Sequence, residues 1–201
     1  MNKEIAYLNF ESATYRLVLL HGWGADAEDL IPLAKEIIET DQFVLNIASL
    51  RAPQFHPQGF GRMWYPLFPH DWEAVPHAVN ELERRIIAIA TDSIPLQKTI
   101  LLGFSQGGAM ALEMASRLSL AGVIACSSYS HPCWTPKEHM PPIFFTHGCN
   151  DEIVPIDEAK KTINLLKRFK INSNLFTFTG GHEIPNLLIK EIKFVIASWL
   201  N

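Results

Sequence analysis

The chain has 201 residues, of which 48% are hydrophobic and 19% are charged, with a formal net charge of −4. That length suits one domain with a full core, and the composition excludes a disordered chain. The absence of a basic block argues against nucleic acid as a partner, and the apolar runs are too short for an integral membrane segment.

The N-terminus, MNKEIAYLNFES, lacks the apolar stretch of a secretory signal, so a cytoplasmic location is expected. Tyr15 to Gly22 (YRLVLLHG) and Phe43 to Leu50 (FVLNIASL) read as strands. Between them Leu30, Leu33, Ala34, Ile37 and Ile38 recur at helical spacing. Arg51 to Asp71 reads as a long loop rich in proline, glycine and aromatic residues. Val75, Val79, Leu82, Ile86 and Ile89 mark an amphipathic helix. Lys98 to Gly103, Ala121 to Ser128 and Pro142 to Gly148 are short apolar runs without alternation, as in strands buried on both faces of a parallel sheet. Ile156, Ala159, Ile163 and Leu166 return to helical spacing, and Asn172 to Gly181 reads as a last strand. Leu188, Ile192, Val195 and Trp199 carry a closing helix. Alternating strands and helices predict one three-layer α/β domain over residues 1–201, with right-handed crossovers and helices on both faces. Functional residues then belong just after the carboxyl ends of strands.

Gly103-Phe104-Ser105-Gln106-Gly107 matches G-x-S-x-G between a strand and a helix. This setting holds a serine hydroxyl exposed on a tight turn. The bland alternative is a serine that merely caps the helix. A serine nucleophile needs a base, and the base needs an orienting acid. In this architecture the chain order is serine, acid, histidine. The only aspartates after Ser105 are Asp151 and Asp157, and His182 is the only histidine beyond Asp151. Asp151 and His182 each follow a predicted strand. Asp151 could instead cap the next helix, Asp157 suits a first helical turn, and His182 could be a helix-entry residue. Backbone amides that stabilise an oxyanion would come from Gln106 and from Trp23, which lies between Gly22 and Gly24. His21 and Asp26 are expected to pin that loop. The apolar and aromatic residues of the long loop, Phe60, Met63, Trp64 and Tyr65 among them, are expected to line an acyl-binding cleft. Cys126, Cys133 and Cys149 lack CxxC spacing and read as reduced thiols, with Cys149 a buried inert one.

LHGWGADAEDL, GFSQGGAMAL, PIFFTHGCNDEIVP and GGHEI together resemble the phospholipase/carboxylesterase (acyl-protein thioesterase) family of α/β-hydrolases. The resemblance runs from about Tyr15 to the end. It implies an α/β-hydrolase fold with a mostly parallel sheet and a minimal cap. It also implies hydrolysis of a small-molecule carboxylic ester or thioester with an apolar acyl chain, without metal or organic cofactor. Ser105, Asp151 and His182 are the implied triad, and Trp23 and Gln106 the implied oxyanion donors. A lysophospholipase or protein depalmitoylase would use the same machinery on a longer chain. A hydrolase-fold binding protein is the non-enzymatic rival. SSYSHPCW and GGH depart from the family's usual segments, which leaves acyl preference open. Whether the chain is a homodimer also stays open.

Overall fold

A computed structural model describes residues 5–200. Seven strands form one sheet in the order β1-β3-β2-β6-β7-β8-β9. They are β1 (Ile5–Leu8), β2 (Tyr15–Leu20), β3 (Leu45–Leu50), β6 (Thr99–Phe104), β7 (Gly122–Cys126), β8 (Ile143–Gly148) and β9 (Ser173–Phe178). All neighbouring pairs are parallel except β1 with β3, where Ile5 faces Leu50 and Leu8 faces Ile47. The predicted strands lie where expected, trimmed by a few residues at their ends. β1 was not anticipated. Four residues at a sheet edge with intermediate burial carry too weak an apolar pattern.

Among the described residues, five α-helices cover the sheet: α1 (Ile31–Ile38), α2 (Val75–Ala88), α3 (Gln106–Ala115), α4 (Ile156–Arg168) and α5 (Leu187–Leu200). The period-2 geometry of a strand sends successive side chains to opposite faces. On β2, Leu17 and Leu19 join α1 and α5 in one core layer, with Ala34, Ile37, Leu188, Ile192 and Ile196. Val18 and Leu20 join α2, α3 and α4 in the other layer, with Leu82, Met110, Ile163 and Leu166. Both faces of the sheet are thus dry, as the unbroken apolar runs predicted. α4 follows Pro155, carries Asp157 and Glu158 in its first turn, and ends on Lys167 and Arg168. Those charges complement the helix dipole at both ends.

The long loop after β3 is not wholly irregular. Gln54–Phe55 (β4) and Arg62–Met63 (β5) pair as a small antiparallel ribbon. Arg62 of this ribbon accepts a hydrogen bond from the Gly24 amide at 2.8 Å, and its own amide donates to the Ala25 carbonyl at 2.8 Å. The ribbon is therefore stitched to the loop that follows β2.

Candidate active site

Ser105 sits between β6 and α3 with φ 53° and ψ −118°, a backbone conformation that non-glycine residues rarely adopt. Its amide donates to the Cys126 carbonyl of β7 at 2.9 Å. Its carbonyl accepts from the Gly108 amide and from the Ser128 hydroxyl, both at 2.9 Å. The side chain makes no capping hydrogen bond to α3, so the capping alternative fails. The turn is possible only because its flanks are glycine. A Cβ on Gly107 would lie 2.0 Å from the Leu20 carbonyl oxygen, and one on Gly103 would lie 2.2 Å from that of Gly107.

β8 and β9 are neighbours in the sheet, so the loops at their carboxyl ends meet. His182 Nδ1 lies 2.8 Å from Asp151 Oδ2. The other carboxylate oxygen, Oδ1, accepts from the amides of Ile153 (2.9 Å) and Val154 (2.8 Å). Asp151 has no side-chain exposure, and His182 is 18% exposed. An ionised aspartate can only accept, so the neutral imidazole carries its proton on Nδ1 and has its Nε2 lone pair free. The His182 ring packs 4.8 Å from that of Phe104, the residue before Ser105. Asp157 lies on α4 and pairs with Lys160 at the surface. Fold geometry thus joins Asp151, and not Asp157, to His182.

The loop after β2 runs beside Ser105 because β2 and β6 are paired. Gly24 has φ +81°, which lets the chain turn back after Trp23. Among the described residues, the backbone N–H groups of Trp23 and Gln106 donate to no protein carbonyl. His21 is fully buried; its Nδ1 contacts the Gly22 carbonyl at 2.7 Å, and its Nε2 receives the Ala52 amide at 3.0 Å. Burial holds the His21 imidazole below its ordinary pKa, so the ring is neutral. Asp26 bonds the Ala27 amide and Arg51. Burial alone would raise the Asp26 carboxyl, but the Arg51 and Ala27 bonds outweigh it and bring it below the ordinary value. Both expected loop pins are present.

The expected acyl-lining residues behave differently. Trp64 is 1% exposed and Tyr65 fully buried, and Met63 is buried as well. These three side chains have almost no surface to offer a ligand, so their assignment to an open cleft is corrected. Trp64 is a structural anchor: its Nε1–H donates to the His21 carbonyl at 2.9 Å, and its amide donates to Gln106 Oε1 at 3.0 Å. Gln106 Nε2 completes the clamp on the Tyr65 carbonyl at 2.8 Å. Phe60 is 63% exposed and stacks on His56, which packs against Trp23. It lies beside the loop that follows β2. A separate cleft near 290 Å³, reaching Phe104 next to Ser105, is lined by Gly22, Ala25, Leu30, Leu33, Phe104 and Ile184 together with the polar side chains of His21 and Asp29. Leu30, just before α1, and Leu33 within it were legible in the sequence only as apolar positions at helical spacing. Cys149 is exposed rather than buried, which corrects a further expectation, while burial pushes the Cys126 thiol up to about 12.

SSYSHPCW, singled out in the sequence only as a departure, forms a hydrogen-bond relay. His131 Nδ1 bonds Glu113 Oε1 at 2.9 Å, and its Nε2 bonds the Tyr65 hydroxyl at 2.8 Å. Tyr65 in turn bonds the Tyr129 hydroxyl at 2.8 Å. Burial raises both phenols, Tyr129 to about 12, so both keep their protons at neutral pH. Tyr65 hangs from Gln106 and Tyr129 follows Ser128, so the relay closes a ring of bonds around the turn at Ser105.

The phospholipase/carboxylesterase family pattern matches residues 9–200. The chain belongs to that family. An acyl-protein thioesterase 1 from Neurospora crassa is 33% identical over 142 residues, covering 60% of this chain and 58% of that relative. Its counterpart from Yarrowia lipolytica is 25% identical, covering 93% of this chain and 91% of its own. The solved structure of esterase PE8 superposes with a TM-score of 0.88 at 26% identity, over 96% of this chain and 97% of its own. A Bacillus cereus carboxylesterase shares the fold, with a TM-score of 0.85 at 20% identity over 97% and 93% of the two chains. The chain is a carboxylic-ester hydrolase of this family with an α/β-hydrolase fold. No helix among the described residues is long and apolar enough to cross a membrane.

Proposed function

We propose that Ser105 is the nucleophile, His182 the general base and Asp151 its orienting acid. One observation carries this reading: the His182–Asp151 bond of 2.8 Å beside a serine on a positive-φ turn. In acylation, His182 Nε2 takes the Ser105 proton while Oγ attacks the substrate carbonyl carbon. The carbonyl oxygen becomes an oxyanion, and the Trp23 and Gln106 amides donate to it. The imidazolium then gives its proton to the departing alkoxide or thiolate, and an acyl-serine remains. Water, activated by the same imidazole, releases the acid and restores the hydroxyl. No step draws on a metal or organic cofactor.

The acyl chain lies in the cleft between Phe104, Ile184 and α1. At about 290 Å³ the cleft is at the small end of ligand sites, which favours a short or medium apolar acyl group over a fatty chain. The substrate is a small-molecule ester or thioester encountered in the cytoplasm.

A fluorophosphonate probe should label the wild-type chain at Ser105 and leave Ser105→Ala unlabelled. The same variant should fold normally and lose activity on the millionfold scale typical of a removed triad serine. Near-wild-type turnover by folded Ser105→Ala would refute the assignment.

A further inference from the structure

His147, four residues before Asp151, is fully buried at the end of β8. Its Nε2 lies 2.8 Å from the Val154 carbonyl oxygen. A carbonyl only accepts, so Nε2 carries a proton. Nδ1 is buried without a hydrogen-bond partner among the described residues. A second proton there would create a buried cation with an unsatisfied donor, so the ring is the neutral Nε2–H tautomer. The same Nε2 also stands 3.3 Å from Asp151 Oδ2, the oxygen that receives His182. Val154 meanwhile donates its amide to Asp151 Oδ1. His147 and Asp151 therefore grip one residue, Val154, by its two backbone groups. An apolar side chain would fill this place without an orphaned lone pair, so sheet packing alone does not account for a histidine.

We propose that His147 is a positioning residue for the Asp151–His182 pair: it locks the turn that aims the carboxylate and draws charge from Oδ2. The proposal rests on the reading of His182 as the base. The N–H dipole of His147 takes up part of the negative charge of Oδ2, so it competes with His182 for that oxygen. The other ionisable groups around the pair are few. Cys149 and Glu152 share the loop, and Glu183 follows His182, with its carboxylate turned back to the Gly181 amide. On β7, Cys126 sits level with Thr146 and is uncharged. On α4, Asp157 and Glu158 are paired with Lys160 and Lys161.

The test follows the His182 titration by NMR of ring-labelled histidine, alongside the pH profile of kcat/KM on a short aryl ester. His147→Leu removes the donor. It should raise the His182 midpoint by about half a pH unit, roughly threefold in proton affinity. The acid limb of kcat/KM should move up by the same amount, and kcat should fall more than KM changes. His147→Gln, whose amide N–H can still reach the Val154 carbonyl, should restore most of both. An unmoved midpoint in folded His147→Leu overturns the proposal, since a purely packing residue would lower stability without moving the titration. Should that variant not fold, His147→Met removes the same donor and is judged by the same midpoint. A shifted midpoint with an unmoved kinetic limb upholds the hold of His147 on the pair and overturns instead the role of His182 as the base.

Discussion

Trp64 offers a direct contest between anchoring and substrate binding. Trp64→Phe keeps an aromatic ring in the core but removes the Nε1–H that the His21 carbonyl accepts at 2.9 Å. His21 is fully buried, so its carbonyl would lose that partner away from solvent. An orphaned buried acceptor costs about 1–3 kcal/mol, and the void left by the smaller ring adds to it. For a chain of this size each kcal/mol lowers Tm by about 2–4 °C, so a loss near 2 kcal/mol means a drop of about 4–8 °C. Calorimetry measures that drop. Steady-state kinetics on acetate, butyrate and octanoate esters measures the other half. Because Trp64 is 1% exposed, any loss in kcat/KM should be the same factor for all three. An acyl-binding residue behaves otherwise, since each buried methylene contributes about 0.8 kcal/mol and the penalty grows with chain length. An unchanged Tm with a chain-length-dependent KM would refute the anchoring role.

Two further outcomes follow from the same geometry. Asp151→Asn should lower kcat by orders of magnitude through loss of tautomer control over His182, while Asp157→Asn should cost only a few tenths of a kcal/mol at the start of α4; kinetics and urea melts on both variants decide, and the reverse pattern would move the acid to Asp157. His21 is held neutral below its ordinary pKa by burial, so its contribution to stability is complete above about pH 6.5 and declines as the pH falls below that value, by at most about 1.4 kcal/mol per unit. Urea melts at pH 7.5 and 5.5 should show a larger acid loss in wild type than in His21→Gln, and equal losses would show that the buried imidazole is not the group that titrates.

The layers were legible because unbroken apolar runs such as Leu17–Leu20 and Ile143–Phe145 have only one comfortable place, a sheet covered on both faces. What escaped was set by partners far along the chain. β1 is recognisable as a strand only once β3 stands beside it. The short β4–β5 ribbon exists because Arg62 is tied to Gly24 and Ala25, which no local pattern announces. Trp64 and Tyr65 misled for a related reason. An aromatic-rich segment beside a candidate site has the same composition whether its rings face a ligand or the core, and only bonds to distant partners, Gln106, His21, Tyr129 and His131, turn these two inward.

The candidate site was more legible than the fold's details because sheet order converts sequence position into proximity. β2 pairs with β6, so the Trp23 loop must lie beside Ser105; β8 pairs with β9, so Asp151 must lie beside His182. Strand-following loops therefore bring together residues that are 31 apart along the chain in one case and 82 in the other, taking Asp151 to His182 and Trp23 to Ser105. The same logic explains why His147 and the Glu113–His131–Tyr65–Tyr129 relay went unrecognised. His147 lies within β8, where an unbroken buried run gives no sign that its side chain reaches round to the loop it precedes. The relay joins the last turn of α3 to the loop after β7 and the residues after the β4–β5 ribbon, three segments far apart in the chain. The candidate site residues stand after strands, where the sequence pattern points; their hydrogen-bonding neighbours are scattered through the elements behind, and only the hydrogen bonds reveal them.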